Sequence, residues 1–122
     1  MIEGLAESVN RDAALVRRGR YVDTTFLLDL GESVHLVRIV AGRIMAVTPA
    51  PPLMPEFSFA LRASRETWVR FWQPKPAPGY TDLFALQRRR LLRIEGDLHP
   101  FMANLFYFKG VLAAPRALGG RR

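Results

Sequence analysis

The chain has 122 residues, which is the length of one domain with a single hydrophobic core. Hydrophobic residues make up 49% and charged residues 24%, so the composition excludes an intrinsically disordered chain. The absence of cysteine excludes disulfides, thiolate catalysis and cysteine-ligated zinc. The net charge of +7 leaves two interpretations open, an anionic partner or a solvated basic surface. Most arginines are scattered along the chain, which favours the second.

The N-terminal eight residues lack a basic segment followed by an apolar one. We therefore expect no secretory signal and a cytoplasmic location. The most apolar stretch, residues 98–114, is interrupted by His99, Asn104 and Lys109 and is too short to span a bilayer.

Residues 1–20 are predicted to be a helical segment of the same domain. Their apolar side chains recur every three or four positions, at Ile2, Leu5, Val9, Ala13 and Val16. Asn10 is placed to cap a second short helix that begins at Arg11, and Gly19 is placed to end the segment.

Three strands are predicted next, over residues 21–30, 34–41 and 44–48, because β-branched and aromatic residues are frequent there. Gly31-Glu32 and Gly42-Arg43 separate these strands. A glycine at the first position of a two-residue loop is typical of a type II′ hairpin, which we expect at Gly42-Arg43. The close spacing of the two turns predicts an antiparallel sheet.

A half-buried fourth strand is predicted over residues 57–63, where apolar and polar side chains alternate. Ser64 is a suitable N-cap for a helix that begins at Arg65, and Thr81 for a helix over residues 81–87. A fifth strand is predicted over residues 91–95, before the glycine that turns the chain.

The last helix is predicted over residues 98–114, with Asp97 as its N-cap. The tail from Pro115 onward is expected to fray. A helical segment, strands, two helices, a strand and a long helix, in this order, are typical of an α+β domain.

The helix predicted over residues 98–114 is apolar on more of its surface than a surface helix of a small domain needs. One stripe holds five of its side chains, Leu98, Phe101, Leu105, Phe108 and Leu112. Met102, Phe106 and Val111 then lie at the flanks of this stripe or beyond it. Four interpretations remain open: a helix buried on all sides, a dimer interface, a membrane contact, or one wall of a pocket for an apolar molecule.

No pattern of residues predicts catalysis, a metal site or a cofactor, and we expect none of them. His35 and His99 belong to no spacing that would hold a metal ion. The serines occur in no nucleophile elbow, and Glu95 and Asp97 lie two residues apart around a turn, which does not make an acid–base pair. The aromatic residues are expected to be buried, so they form no stacking platform for nucleic acid.

The region from Phe57 to Leu112 resembles the sterol carrier protein 2 family, small domains that hold fatty-acyl chains or sterols. The likeness consists of an aromatic strand, a helix that bears Trp68, and a strand that ends in Ile94-Glu95-Gly96-Asp97 before an apolar helix. The strands predicted over residues 21–48 fit the family's early strands. The chain departs from the family where Gln87-Arg88-Arg89-Arg90 replaces a common Gly-Lys pair, which makes that rim more basic.

The resemblance implies a curved, mainly antiparallel five-stranded sheet with helices packed on one face and an apolar tunnel between them. The binding domain would cover residues 21–115, with a basic flexible tail at residues 116–122. Apolar side chains of the three helices after residue 64 would line the tunnel: Trp68, Phe71, Trp72, Phe84, Phe101, Met102, Leu105 and Phe108. An arginine, Arg70 or Arg90, would meet a carboxylate or phosphate head group.

The resemblance further implies a non-catalytic carrier for a fatty-acyl lipid or a sterol-like molecule. The alternative is an accessory protein, in which the apolar C-terminal helix pairs two copies of the chain or docks on a partner enzyme. A transient contact of the basic surface with an anionic membrane is a further expectation. Nucleic acid is not expected as a partner.

Overall fold

The computed structural model describes residues 2–51 and 56–119, and these form one α+β fold built on a five-stranded sheet. Five strands are present: β1 (Asp23–Asp29), β2 (Val34–Val40), β3 (Arg43–Pro49), β4 (Phe59–Ala63) and β5 (Leu92–Gly96). A 3-10 turn at Ile2–Gly4 precedes seven helices: α1 (Leu5–Asn10), α2 (Ala13–Arg18), α3 (Arg65–Phe71), α4 (Leu83–Arg88), α5 (His99–Ala103), α6 (Leu105–Ala113) and α7 (Arg116–Gly119).

The sheet has the strand order β3-β2-β1-β4-β5, and three of its four pairings are antiparallel. The exception is β1 with β4, which pair in parallel because the chain crosses from the β3 edge to the far side of β1. The predicted mainly antiparallel five-stranded sheet is confirmed, and the parallel pair makes it a mixed sheet.

The sheet has two ends, which we name by the glycines of its two hairpin turns. The Gly42 end is where β1, β3 and β4 begin and where β2 and β5 finish. The Gly31 end is the opposite one, where the β1–β2 turn lies.

Aromatic rings fill the space between the sheet and the C-terminal helices. Phe26 and Phe59, paired across β1 and β4, stack with ring centroids 5.2 Å apart. Phe108 from α6 meets both rings edge-on, at 5.9 and 5.2 Å, and Phe101 from α5 lies 5.4 Å from Phe59. All four side chains are buried. Within the described residues this aromatic cluster occupies the place where the open tunnel was expected.

The N-terminal segment belongs to the same core, since Leu5 and Val9 are fully buried. It forms two helices, and the expected cap is corrected. Asp12 caps α2 by accepting from the Leu15 N–H at 3.1 Å. The Asn10 side chain instead bonds the N–H and C=O of Ile44, at 2.8 and 2.9 Å. These backbone groups lie at the exposed edge of the sheet, where no further strand supplies partners.

The second hairpin turn differs from the expected type. Ala41 and Gly42 both have positive φ, 52° and 80°, and Val40 pairs directly with Arg43. The two-residue loop is therefore Ala41-Gly42 in the type I′ conformation, shifted by one residue from the prediction. Positive φ at both central residues matches the twist of the flanking strands, which favours this turn over one centred on Arg43.

The long C-terminal helix is interrupted, contrary to the prediction of one helix over residues 98–114. Asn104 leaves the helical conformation at φ −126°, so α5 ends there and α6 begins at the next residue. The Asn104 side chain donates to the Pro100 carbonyl at 3.1 Å. This carbonyl therefore has a hydrogen-bond donor that is not a backbone N–H of the helix. The expected cap is also altered: Leu98 occupies the N-cap position, and Asp97, one residue earlier, accepts from the His99 N–H.

The tail also departs from the prediction, because residues 116–119 form α7. Arg116 anchors it by donating to the carbonyls of Phe71, Tyr80 and Thr81, at 2.8, 3.2 and 3.1 Å. Burial lowers the pKa of this guanidinium below its ordinary value. Residues 120–122 lie outside the described part of the chain.

Thr81 likewise does not cap α4, which begins after Asp82.

Tyr107 closes the Gly42 end of the core. Its ring packs against Gly19, where any Cβ would overlap the ring, and its hydroxyl donates to the Gly42 carbonyl at 2.7 Å. Burial raises the pKa of Tyr107 to about 12. The folded state therefore binds this proton more tightly than the unfolded chain, whose tyrosine pKa is about 10.

We expect the free energy of unfolding to fall as pH rises from about 10 to about 12, because the unfolded chain loses this proton first. The Tyr107 contribution is about 2–3 kcal/mol, present in full below pH ~10. Urea unfolding across this pH range should show the decline in the parent chain and a flatter profile in Tyr107→Phe. The exposed Tyr21→Phe is the control. Identical pH profiles for the parent and Tyr107→Phe would contradict this assignment.

Candidate ligand cavity

A cavity of about 320 Å³ lies at the Gly31 end, between the β1–β2 hairpin and α3. One part of its lining is apolar and mostly buried: Ile2, Leu30, Trp68, Val69 and Trp72. The other part is polar and more exposed: Glu32, Ser33, His35 and Arg65. We call the apolar part the apolar floor of the cavity. The polar side chains therefore lie between this floor and solvent.

Local sequence positions the tryptophans. Ser64 caps α3, as predicted, by accepting from the Thr67 N–H at 3.2 Å. Trp68 and Trp72 follow one turn apart on the same helix face, and their rings stack with centroids 5.1 Å apart. This places both indoles side by side in the cavity wall.

Both indole N–H groups are already satisfied. Trp68 donates to the Asp29 carbonyl at 2.8 Å, and Trp72 donates to the Leu112 carbonyl at 2.7 Å. These bonds tie α3 to the sheet on one side and to α6 on the other. Because the polar atom of each indole points into the protein, the rings present only apolar surface to the cavity.

The polar part of the lining contains two hydrogen-bonded pairs. The Arg65 Nε lies 3.2 Å from Glu32 Oε1, and both side chains are about two-thirds exposed, at 67% and 65%. The Ser33 hydroxyl lies 2.9 Å from His35 Nε2. An exposed ion pair contributes little to stability, so Arg65 can exchange Glu32 for another anion at small cost.

Hydrolytic chemistry needs more than this serine–histidine contact provides. A base must be oriented by a third group, and donors must face the developing oxyanion. Among the hydrogen bonds of the described residues, His35 has no carboxylate partner. Residues 2–51 and 56–119 also contain no group of three or more side chains that could hold a metal ion.

The structure places the eight predicted lining residues in three different surroundings. Trp68 and Trp72 line the cavity. Four others pack in or against the core: Phe71 lies under the Arg116 guanidinium, Phe101 and Phe108 belong to the aromatic cluster, and the half-buried Phe84 packs on Phe101. Met102 is exposed and Leu105 is half-buried, near the Gly42 end.

The arginine that lines this cavity is Arg65, whereas the arginines expected to meet a head group were Arg70 and Arg90. Arg70 bonds Glu66 at 2.7 Å and the Tyr80 hydroxyl at 3.4 Å, away from the cavity. Arg90 lies in the link before β5, at φ 60°. Neither residue contributes to the lining.

Sequence reasoning missed most of the polar lining. On α3 a signal was present, because Arg65, Val69 and Trp72 follow one another at spacings of four and three, on the face that carries Trp68. For Ser33 and His35 there was no comparable signal. They reach the cavity through the pairing of β1 with β2 and the packing of α3 across it.

Among the described residues, no helix combines the length and the apolar character needed to cross a membrane.

No protein-family model matches this chain, and no curated protein sequence matches it. Solved structures do. A crystal structure of sterol carrier protein 2 superposes with a TM-score of 0.74 at 12% identity and covers 94% of this chain and 92% of its own. The ubiquinone synthesis protein UbiJ-SCP2 gives 0.61 at 14% identity, over 98% of this chain and 88% of its own.

The sterol carrier protein domain 2 of Helicoverpa armigera, solved in solution, gives a TM-score of 0.60 at 14% identity. It covers 92% of this chain and 84% of its own. Sequence identities this low establish a common fold and leave the bound molecule open. The fold inferred from the sequence is confirmed, and the chain has the fold of sterol carrier protein 2.

Proposed function

We propose that this chain is a non-catalytic binding domain for an amphipathic lipid with one fatty-acyl or similarly slender apolar part. The apolar part lies against Leu30, Trp68 and Trp72, and the polar head lies at Arg65 and His35. The observation that carries the proposal is the cavity itself, an apolar floor walled by both tryptophans beneath a polar, solvent-facing margin.

The apolar floor supplies the driving force for binding. Each methylene moved from water into such a site contributes about 0.8 kcal/mol. The cavity volume of about 320 Å³ is at the small end of the ~300–1,000 Å³ range of ligand pockets. A small cavity favours a single acyl chain over a wide, multi-ring molecule.

The polar margin selects the head group. A guanidinium binds a carboxylate or phosphate through two parallel hydrogen bonds, which a neutral head cannot match. Arg65 is exposed and its partner Glu32 is held only by a surface ion pair. Fatty acids and lipid phosphates therefore fit this margin better than a neutral alcohol.

The fold likeness supports an apolar, lipid-type ligand in general, without distinguishing an acyl chain from a sterol. Three of the structures with this fold are described as sterol carrier proteins, and a fourth as a ubiquinone synthesis protein. The alternative, an accessory protein that docks through its C-terminal helix, concerns a different surface. The exposed side chains of that helix lie at the Gly42 end, whereas the cavity lies at the Gly31 end.

Titration with a bromine-labelled fatty acid should quench most of the intrinsic tryptophan fluorescence and saturate at one molecule per chain. The chain contains two tryptophans, and both line the cavity, so this signal reports on the cavity alone. Native mass spectrometry of the purified protein should show the matching one-to-one adduct.

Two comparison ligands make the test specific. The corresponding brominated fatty alcohol should bind more weakly than the acid, and a brominated sterol should quench little. If the sterol binds more strongly than the fatty acid, the ligand class is sterol-like and not fatty-acyl. A clean apo mass together with unchanged emission for all three ligands would refute the lipid-binding function.

A further inference from the structure

The polar margin of the cavity consists of Glu32, Ser33, His35 and Arg65. Within the described lining, Glu32 supplies the one carboxylate and Arg65 the one guanidinium, and their formal charges cancel. The chain as a whole has a formal net charge of +7, so its positive excess lies outside this margin. Sites for doubly charged phosphate groups, in contrast, bring several arginines together.

The turn that carries Glu32 is fixed against the start of α3. The Gly31 N–H donates to Asp29 Oδ1 at 2.8 Å, which holds the turn in shape. Gly31 has a positive φ of 87°, and a Cβ on it would lie 2.7 Å from the backbone nitrogen of Arg65. The Glu32 side chain can rotate, but the position of its backbone keeps the carboxylate within reach of the Arg65 guanidinium.

The Arg65 guanidinium has donors to spare. Glu32 Oε1 contacts its Nε atom at 3.2 Å, and its two terminal nitrogens have no hydrogen-bond partner among the described residues. A carboxylate or a phosphate can bind these two nitrogens through parallel hydrogen bonds while Glu32 stays in place. One guanidinium then faces two anions, and it neutralises only one negative charge.

We propose that Glu32 restricts the head group of the ligand to a single negative charge, an inference that rests on the proposed lipid binding. A carboxylate or a phosphodiester brings one charge to Arg65. A phosphate monoester carries nearly two negative charges at pH 8, since its second pKa is about 6. Glu32 offsets the attraction of Arg65 for the second charge, and the described lining offers no second arginine or lysine. The cost of removing that charge from water is then uncompensated.

A purely structural role explains the ion pair between Arg65 and Glu32 less well. The turn is already held against α3 by the close approach of Gly31 and by the bond from the Trp68 indole to the Asp29 carbonyl at 2.8 Å. An ion pair whose two side chains are about two-thirds exposed adds little stability to these contacts. The main effect of Glu32 is therefore on the charge of the margin.

The charged side chains next to the margin are paired with one another. Asp29 pairs with Arg62 at 3.1 Å, and Glu66 pairs with Arg70 at 2.7 Å. None of these four side chains lines the cavity. Among these carboxylates and that of Glu32, only the Glu32 carboxylate therefore faces a bound head group, and Glu66 is suited to a control.

Calorimetric titration at pH 8 with dodecyl phosphate and with its methyl diester tests this selectivity. The two ligands share the acyl-like chain and the phosphate and differ by about one charge. The parent chain should bind the diester more tightly than the monoester. Glu32→Gln should shift the ratio of the two affinities about fivefold toward the monoester, the change expected for one unit of charge repulsion at contact distance in water. The methyl group of the diester cancels in this comparison of ratios.

The matched control is Glu66→Gln, which removes the same charge one residue beyond Arg65 and leaves the margin intact. It should keep the ratio of the parent chain. Equal shifts in Glu66→Gln and Glu32→Gln would mean that net charge alone acts, which would overturn the proposal. So would a parent chain that prefers the monoester, or a ratio that Glu32→Gln leaves unchanged.

These outcomes separate the selectivity from the lipid binding on which it rests. If both dodecyl phosphates bind but the ratio does not respond to Glu32→Gln, the role of Glu32 fails and the lipid-binding function stands. If the parent chain and Glu32→Gln take up neither ligand, both the lipid-binding function and the selectivity fail.

Discussion

Phe108→Ala should lower the free energy of unfolding by about 3–5 kcal/mol, the range for deleting a fully buried phenyl ring. Phe108 is completely buried, and its ring contacts those of Phe26, Phe59, Phe101 and Tyr107 at centroid distances of 5.2–5.9 Å. No nearby side chain is free to move into the space, because each of these rings is itself held by the others. A domain is stable by only about 5–15 kcal/mol, so the variant should lose a large share of its stability.

Urea unfolding of the parent and of Phe106→Ala provides the comparison. Phe106 is the same residue type two positions earlier on α6 but is 70% exposed, so its truncation should cost less than about 1 kcal/mol. Similar losses for the two variants would mean that α6 presents a different face to the sheet.

The sequence predicted the inward stripe of the C-terminal helix with partial success. Phe101, Phe108 and Leu112 are buried as expected, and Met102 and Phe106 lie outside. Leu98, placed in the stripe, is exposed, because α5 starts only at the next residue. A single helical period cannot describe two helices whose phase shifts between them at Asn104, because hydrophobic periodicity does not encode such a break.

Strand positions were predictable to within a few residues, because alternation and β-branched residues act locally. The parallel pairing of β1 with β4 was not, since it depends on where the link after Pro49 carries the chain. Alternation shows which face of a strand is apolar. It carries no information about which strand lies beside it.

The residues of the cavity also fall into two groups. Some could be predicted from spacing within one helix, and others depend on contacts between distant parts of the chain. The cap at Ser64 and the shared face of Trp68 and Trp72 could be predicted, because both depend on spacing within one helix. Ser33 and His35 join them only because β1 pairs with β2 and the Trp68 indole bonds the Asp29 carbonyl. An apolar helix face has the same appearance in the sequence whether it meets a ligand or other side chains, so the aromatic lining stays a prediction for the residues that do not line this cavity.

Val69→Trp should weaken fatty-acid binding at least tenfold, which corresponds to about 1.4 kcal/mol. Val69 lines the cavity beside both tryptophans and is only half-buried, so a larger ring at this position has room to enter the cavity without displacing the core. The added ring would occupy volume that the acyl chain needs. Native mass spectrometry and calorimetry measure the loss without relying on tryptophan emission.

Gln73→Trp is the matched control. Gln73 lies four residues further along the chain, is exposed, and does not line the cavity, so the same ring there should leave affinity unchanged. Both variants should have thermal unfolding midpoints close to that of the parent chain. If the larger ring destabilises the fold, Val69→Phe takes the place of Val69→Trp. Undiminished binding by a folded Val69 variant would place the ligand elsewhere.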